Sequence, residues 1–284
     1  MRMLGVIGGS GVYRVDGLDD ARTETVETPW GAVALTLGTR DGVAVAFLPR
    51  HGAGHATAPS EVNYRANVAA LKVAGCTEVL AVSACGSFRE AMAPGHFVAV
   101  DQYVDRTRGR AKTFFGDGVV AHVSLARPTC ARLTGHAVAA ARAAGATVHE
   151  GGTYLAMEGP AFSTAAESRL YRSWGCDVIG MTNMPEAALA REAELCYAAL
   201  AMITDYDSWH PDHDAVDVAA VVATLGANAA RARATVAALP GRLDPPAPCP
   251  HGCDRALEHA IITPPEARVP EAVARLRAVA GRVL

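Results

Sequence analysis

No apolar segment of this chain reaches the ~18–20 residues that span a bilayer, so no transmembrane helix is expected. A bulk charge is missing too. The net charge of −3 gives no electrostatic case for nucleic acid or an anionic membrane surface as partner. Residues 1–9 are apolar for only a few positions, then run into glycines without a small-residue cleavage site. That stretch reads as the first strand of a cytoplasmic protein, not as a leader. Internal repeats are absent, and alanine enrichment is the only compositional bias in tracts. The seven cysteines are too few and too scattered for a disulfide framework; those at 76, 85, 130, 176 and 196 sit in apolar context and read as small buried hydrophobes of a reducing compartment. Complete metal sites are lacking as well. Ser208–Asp214 carries His210, Asp212, His213 and Asp214 on a proline-broken loop with no third fixed partner, and Asp212 or Asp214 serves as a helix cap. Cys249-Pro250-His251-Gly252-Cys253 has two thiols and one imidazole, but two further ligands are absent nearby. No metal is expected.

What remains is a chain of 284 residues, half of them hydrophobic, long enough for one large α/β domain. Residues 1–240 read as that domain. Leu243–Pro248 is a stiff Pro-rich linker, and 241–284 reads as an extension that packs on the same domain or on a neighbouring subunit. Leu4–Ile7 is a strand that breaks into Gly8-Gly9-Ser10-Gly11. Glycines there let backbone approach a ligand, with the Ser10 hydroxyl as a donor, although a ligand-free tight turn has the same pattern. It is not the dinucleotide fingerprint, for the helix and distal acid are missing. Residues 23–48 read as a meander with a hairpin at Asp41-Gly42. Arg50-His51-Gly52 follows, a forked donor beside an imidazole donor, suited to an anion or to a solvated loop. A helix capped by Ser60 is expected to run to Gly75. Glu78–Val82 reads as a buried strand that ends in a small-residue turn, Ser83–Ser87. The arginines 106, 108 and 110 read as a solvated or subunit-facing loop.

Downstream, a helix is expected over 132–144 and a strand over 148–155. Thr164 or Ser163 caps a helix with Glu167 in capping-box position, and Phe162 before it is a stacking surface or a hydrophobic staple. Pro185-Glu186 opens another helix after the short strand at 177–182. The run 195–207 reads as a strand buried on both faces, whose carboxyl end carries Asp205 and Asp207. Positions two apart in an extended chain point to one side, and open α/β sheets bind ligands at strand carboxyl ends. Helices are expected at 218–239 and 270–284. Anion-friendly turns in one part of a site and acids suited to a heterocycle in another point to attack of phosphate on an N-glycosidic bond.

These residues carry a resemblance. Ile7–Gly11, Arg50–Gly52, Pro59–Asn67, Ser83–Ser87, Asp101–Thr107, Met157–Ser163, Met181–Glu186 and Thr204–Asp207, in this order over roughly residues 4–230, resemble the methylthioadenosine phosphorylases within the trimeric purine nucleoside phosphorylases. The resemblance implies an α/β, three-layer sandwich with a central mixed, partly barrel-like sheet, assembled as a homotrimer or dimer of trimers. It implies a pentosyltransferase of purine and methionine salvage, with no cofactor and inorganic phosphate as co-substrate. Phosphate would be held by Ser10, Arg50, His51, Ser83, the Ala84 amide and Thr182. Met181 would lie against the ribose, and Phe162 against the purine. Val221 would line the 5′-pocket, together with His122 from a neighbouring subunit. Asp205 would assist departure at purine N7, and Asp207 would accept from the 6-amino group.

Two departures stand out. Ser10 and Ser83 occupy positions where threonine is common in animal members, and the Pro245–Cys253 tail is like that of some prokaryotic members only. Competing readings are a phosphorylase for adenosine or 5′-halogenated adenosines, a 6-oxopurine phosphorylase, a hydrolase, and a non-catalytic nucleoside binder. The last two have no use for Arg50, His51 and Ser83 together.

Overall fold

A computed structural model describes residues 2–210 and 218–284. The strands in chain order are β1 (Met3–Gly8), β2 (Asp19–Val26), β3 (Val33–Arg40), β4 (Val43–Pro49), β5 (Glu78–Ser87), β6 (Phe97–Val100), β7 (Gln102–Asp105), β8 (Val148–Glu150), β9 (Thr153–Ala156), β10 (Val178–Gly180) and β11 (Cys196–Asp205). The helices are α1 (Tyr64–Val73), α2 (Ala131–Ala143), α3 (Ala165–Ser173), α4 (Asn183–Glu192), α5 (Val218–Ala238) and α6 (Pro270–Ala280). All the described strands join one mixed sheet that forks at β5. One flank of β5 is paired along its length by parallel β11. The other flank is shared, with parallel β1 against its first half and antiparallel β10 against Gly86 and Ser87. From β1 the sheet continues through β4, β3 and β2; from β10 it continues through β9 and β7; from β11 through β6 and β8. The sheet is mixed and central, as the resemblance implied, with β5 as the strand from which its three branches leave.

Alternation along the strands sorts the core into two layers. Ile7, Val79, Ala81, Tyr197, Ala199, Ala201 and Ile203 face one side, in a single cluster with residues of α1, α4 and α6. Leu4, Val6, Leu80, Val82, Ala198, Leu200 and Met202 face the other, with residues of α2 and α5. Helix layer, sheet and helix layer make the three-layer sandwich. β11 is buried on both faces, so truncating Leu200 to Ala removes contacts on a fully enclosed side chain, at a cost of ~2–5 kcal/mol. Residues of the extension join both layers: Leu257, Leu276 and Val279 in one cluster, Cys249 and Cys253 in the other. No described helix is long and apolar enough to cross a membrane.

The meander forms as expected, and Asp41 and Gly42 both take positive φ, the conformation of a tight hairpin turn. The capping box at Thr164 and Glu167 is present. Several expectations are corrected. Ser60 caps nothing: α1 begins later, with Asn63 accepting from the Ala66 amide at 3.1 Å. Ser83–Ser87 is not a turn but the second half of β5, because β11 and β10 pair it on both flanks and small residues fit that crowded position. The stretch 148–155 is two strands, broken where Gly151 takes positive φ. Arg110 is not solvated; its side chain is almost fully enclosed. Of the Ser208–Asp214 run, residues 211–214 lie outside the described residues.

Candidate active site

Where the sheet forks, one cavity of about 480 Å³ opens at the carboxyl ends of β1, β5 and β11. Its walls include Ser10, Arg50, His51, Ser83, Ala84, Phe162, Met181, Thr182, Asp205, Asp207 and Val221, so eleven of the twelve candidate site residues meet in one place. His122 does not. It lies in a separate groove beside Ser124, Arg255 and His259, with its backbone amide donating to the Ala260 carbonyl.

β5 measures the cavity. Ser83 and Gly86 are three residues apart, about 10 Å along an extended strand. The cationic group gathers at Ser83 and the acids at Gly86. At the Ser83 end, Arg50 is fully enclosed and held in one orientation. Its Nε and Nη2 donate to the two oxygens of Glu186 at 2.7 and 2.9 Å, and Nη1 donates to the Val82 carbonyl at 3.1 Å. Tyr197 donates a further hydrogen bond to Glu186 at 2.9 Å. Burial by itself would weaken the guanidinium's hold on its proton, but the Glu186 carboxylate reverses this and the pKa is raised. Three of five N–H groups are used, which leaves two for a ligand. Gly9 must be glycine for this packing: a Cβ there would fall 2.5 Å from the Val82 carbonyl and 2.8 Å from Arg50 Nη1.

His51 Nδ1 lies 2.9 Å from the Thr57 carbonyl, which can only accept, so that nitrogen carries the proton. Burial lowers its pKa to about 4; the Thr57 contact opposes this, and the neighbouring Arg50 and His55 add to it. The ring is neutral at pH 7 and its free nitrogen, Nε2, accepts. Nδ1 is therefore already engaged, and Nε2 is the ring nitrogen left to meet a ligand. The Ser83 hydroxyl spends its proton on Asn183 Oδ1 at 3.1 Å and must rotate to serve an anion. Thr182 makes no side-chain cap to α4, and the regular turn of that helix starts at Pro185, because Met184 is extended.

At the other end, β11 bulges between Ile203 and Asp205, and the strand stops there. Asp207 takes positive φ, so the two acids are not brought together by strand alternation; a turn does it, with the Asp207 amide donating to Asp205 Oδ1 at 2.8 Å. Thr204 donates to Asp205 Oδ2 at 2.7 Å. Burial raises the Asp205 pKa, and those two hydrogen bonds limit the rise. Burial also raises that of Asp207, with the charge of Asp205 adding to it. Asp207 Oδ2 is enclosed and has no hydrogen-bond partner among the described residues. Leaving such an oxygen unpaired costs ~1–3 kcal/mol or more, which a donating ligand would recover. Gly86 leaves room for the pair, since a Cβ there would sit 2.8 Å from Asp205 Oδ1.

Phe162 keeps nearly half of its surface exposed at the rim, which offers a face to a flat ligand. Met181 is held by Arg110. That guanidinium donates to the carbonyls of Met181, Met184 and Glu158 at 2.6, 3.0 and 2.8 Å, and to the Glu158 carboxylate at 3.1 Å. It thereby ties the loop bearing Phe162 to the loop bearing Met181. Reasoning from sequence missed Arg110 and Glu186 as supports. An arginine in an otherwise polar loop gave no sign of burial, and Glu186 explained itself as a first-turn acid.

The sequence model described as "Phosphorylase superfamily" matches residues 3–239. The S-methyl-5′-thioadenosine phosphorylase of Cereibacter sphaeroides is 65% identical over 99% of this chain and 98% of its own length, and that of Rhodospirillum rubrum 60% over 99% and 97%. Among solved structures, a methylthioadenosine phosphorylase from an antarctic soil metagenomic library superposes with a TM-score of 0.90 at 43% identity, covering 97% of this chain and 98% of that one. The Schistosoma mansoni methylthioadenosine phosphorylase in complex with adenine gives 0.81 at 38%, covering 86% and 93%.

Proposed function

The chain belongs to the phosphorylase superfamily, and from that premise we propose that it phosphorolyses 5′-methylthioadenosine to adenine and 5-methylthioribose 1-phosphate. The observation that carries the reading is the single cavity with a cationic end and an acidic end about 10 Å apart along β5, room for a phosphate oxygen, C1′ and a purine N7 in line together with a hydrogen bond at each end. Phosphate binds at Ser10, Arg50, His51, Ser83, the Ala84 amide and Thr182. The dianion keeps one proton, which it donates to the free nitrogen of neutral His51, while Arg50 donates its two remaining N–H groups. A phosphate oxygen attacks C1′ beside Met181. The C1′–N9 bond breaks and its electrons move into the purine, which takes a proton at N7 from Asp205. The raised pKa of that carboxyl suits a proton donor, and catalysis of this kind supplies about 10²–10⁴-fold. Asp207 accepts from the 6-amino group with its unpaired oxygen, and Phe162 stacks on the ring. A 6-oxo purine would set acceptor against acceptor there, so adenine-type bases are preferred.

Val221 and the neighbouring Leu225 give the 5′-pocket its apolar wall, and we assign its outer wall to His122 of an adjacent copy in a homotrimer or dimer of trimers. His122 stands away from the cavity of its own chain, which is consistent with service to another. The enzyme is assigned to the cytoplasm. No metal takes part in the chemistry; phosphate is the only co-substrate. Incubation with methylthioadenosine, with and without phosphate, tests the reading. Adenine release only when phosphate is present, with a sugar 1-phosphate as second product, is expected. Phosphate-independent release of adenine would replace phosphorolysis by hydrolysis, and tight binding without turnover would reduce the protein to a binder. Size-exclusion chromatography with light scattering reads the assembly.

A further inference from the structure

Four cysteines that are far apart in the chain converge at the end of β11 remote from the active site. Cys196 is the first residue of that strand and Cys130 the residue before α2, and the two stretches are tied by a hydrogen bond from the Cys130 amide to the Tyr197 carbonyl. Cys249 and Cys253 come from the loop after the Pro-rich linker, where Gly252 in left-handed conformation and the Asp254 carboxylate on the Cys249 amide fold the loop so that both thiols point inward. All four are 0–3% exposed. Their sulfur atoms all lie within 4.8 Å of one another, and Cys130 and Cys249 are 3.7 Å apart. A zinc ion at ~2.3 Å from each of four thiolates sets the edge of its tetrahedron at ~3.8 Å. The Cys249–Cys253 spacing also falls within the two-to-four-residue gap common in structural zinc sites.

Charge points the same way. A zinc tetrathiolate carries a net −2. Beside the cluster, Arg2 and Arg132 both pair with the buried carboxylate of Glu78, which sets two cations on the Cys196 side, while the Asp254 carboxylate is turned to the Cys249 amide. Arg132 Nη2 lies 3.8 Å from Cys196 Sγ, a position from which it would offset the charge of a metal-bound thiolate.

We propose that Cys130, Cys196, Cys249 and Cys253 bind one zinc ion, as a closed structural site that fastens residues 241–284 to the sheet. Binding releases four thiol protons as four Zn–S bonds form, with no change in oxidation state. The site needs no open coordination position. It is separated from Asp205 by the length of β11, about 30 Å, which keeps it out of the reaction. The expectation that the Cys249–Cys253 loop lacks two ligands holds along the sequence and fails in space: the fold supplies them from Cys130 and Cys196.

The test is metal analysis of the full chain, purified untagged and without chelator under reducing conditions. Roughly one zinc per chain is expected, as a four-thiolate site holds a single ion. The variant carrying Cys249→Ser and Cys253→Ser should lose that zinc and melt at a lower temperature, with kcat/KM for the nucleoside unchanged below its melt. Should that variant fail to fold, the wild type refolded with cobalt(II) answers instead, because tetrathiolate coordination gives intense sulfur-to-cobalt absorption. Zinc retained by the double variant would overturn the site. So would metal-free reduced wild type that takes up neither ion, iron in place of zinc, or non-reducing peptide maps that show these four cysteines joined in disulfides.

Discussion

Asp207→Asn is the sharpest probe of the site, because the structure determines what the amide can do. The carboxylate has only acceptor atoms. One oxygen, Oδ2, is enclosed without a partner, while the Ser208 backbone N–H and the Ser168 and Ser163 hydroxyls face the group. Asparagine replaces one acceptor by two donors. If its NH2 takes the unpaired position, it meets the 6-amino group of the purine donor to donor. If the amide turns over, the NH2 meets the Ser208 N–H. Either way one buried pair is broken, at ~1–3 kcal/mol. A factor of ten corresponds to ~1.4 kcal/mol, so kcat/KM for methylthioadenosine should fall about 5- to 150-fold. For the 6-oxo counterpart, 5′-methylthioinosine, the first orientation creates a matched pair, and its kcat/KM should rise. The ratio of the two substrates is the measurement, taken at saturating phosphate, with a thermal melt as control for folding. The melt should not fall, since the substitution removes a buried charge whose pKa burial already raises. An unchanged ratio in a well-folded variant would refute the role of Asp207 in choosing the base.

Three further outcomes are expected. Asp205→Asn should lower kcat by about 10²–10⁴-fold with little change in nucleoside KM, because proton donation at N7 is needed only as the base departs; single-turnover kinetics check it. Glu186→Ala strands the enclosed Arg50 without its counter-charge, which costs ~3–5 kcal/mol of stability and should raise the KM for phosphate in whatever protein remains folded, read by denaturant melts and phosphate titration. Glu192 is buried near Thr113 and Phe114, and burial raises its pKa to about 7 against 4.5 for the ordinary group, with hydrogen bonds from the Phe114 amide and Thr113 hydroxyl opposing. A folded pKa above the unfolded one stabilises fully below the unfolded value and loses that contribution as pH rises through the folded one. Wild type should therefore lose stability relative to Glu192→Gln between about pH 4.5 and 7, and melting temperatures of the two proteins across that range check the sign.

Local chemistry makes much of this molecule legible in its sequence. β11 announces itself as eight apolar residues followed by Thr204 and an acid, the Asp41-Gly42 hairpin by two residues that tolerate positive φ, and α3 by the capping box at Thr164. Each of these signals lies within one element, where period and turn chemistry act over a few residues. The residues of the candidate site stand out for the same reason: Arg50, Asp205 and Phe162 are chemically conspicuous where they stand.

What the chain does not disclose residue by residue is who meets whom across it. Ser83–Ser87 has the composition of a turn because small residues favour turns, yet two flanking strands hold it extended. Arg110 belongs to a polar stretch, yet backbone and side-chain acceptors from three distant segments close around it. His51 reads as a free donor in the sequence, yet the Thr57 carbonyl takes up its Nδ1. Cys249 and Cys253 are two ligands short along the chain, and β11 and α2 bring Cys196 and Cys130 beside them. In every instance the deciding interaction is made by the fold, and most are long-range contacts, which no window of sequence contains. The sequence by itself determined most of the elements and the chemical cast; the tertiary structure alone decided which groups are enclosed, which protons are already spent, and which side chains share one cavity.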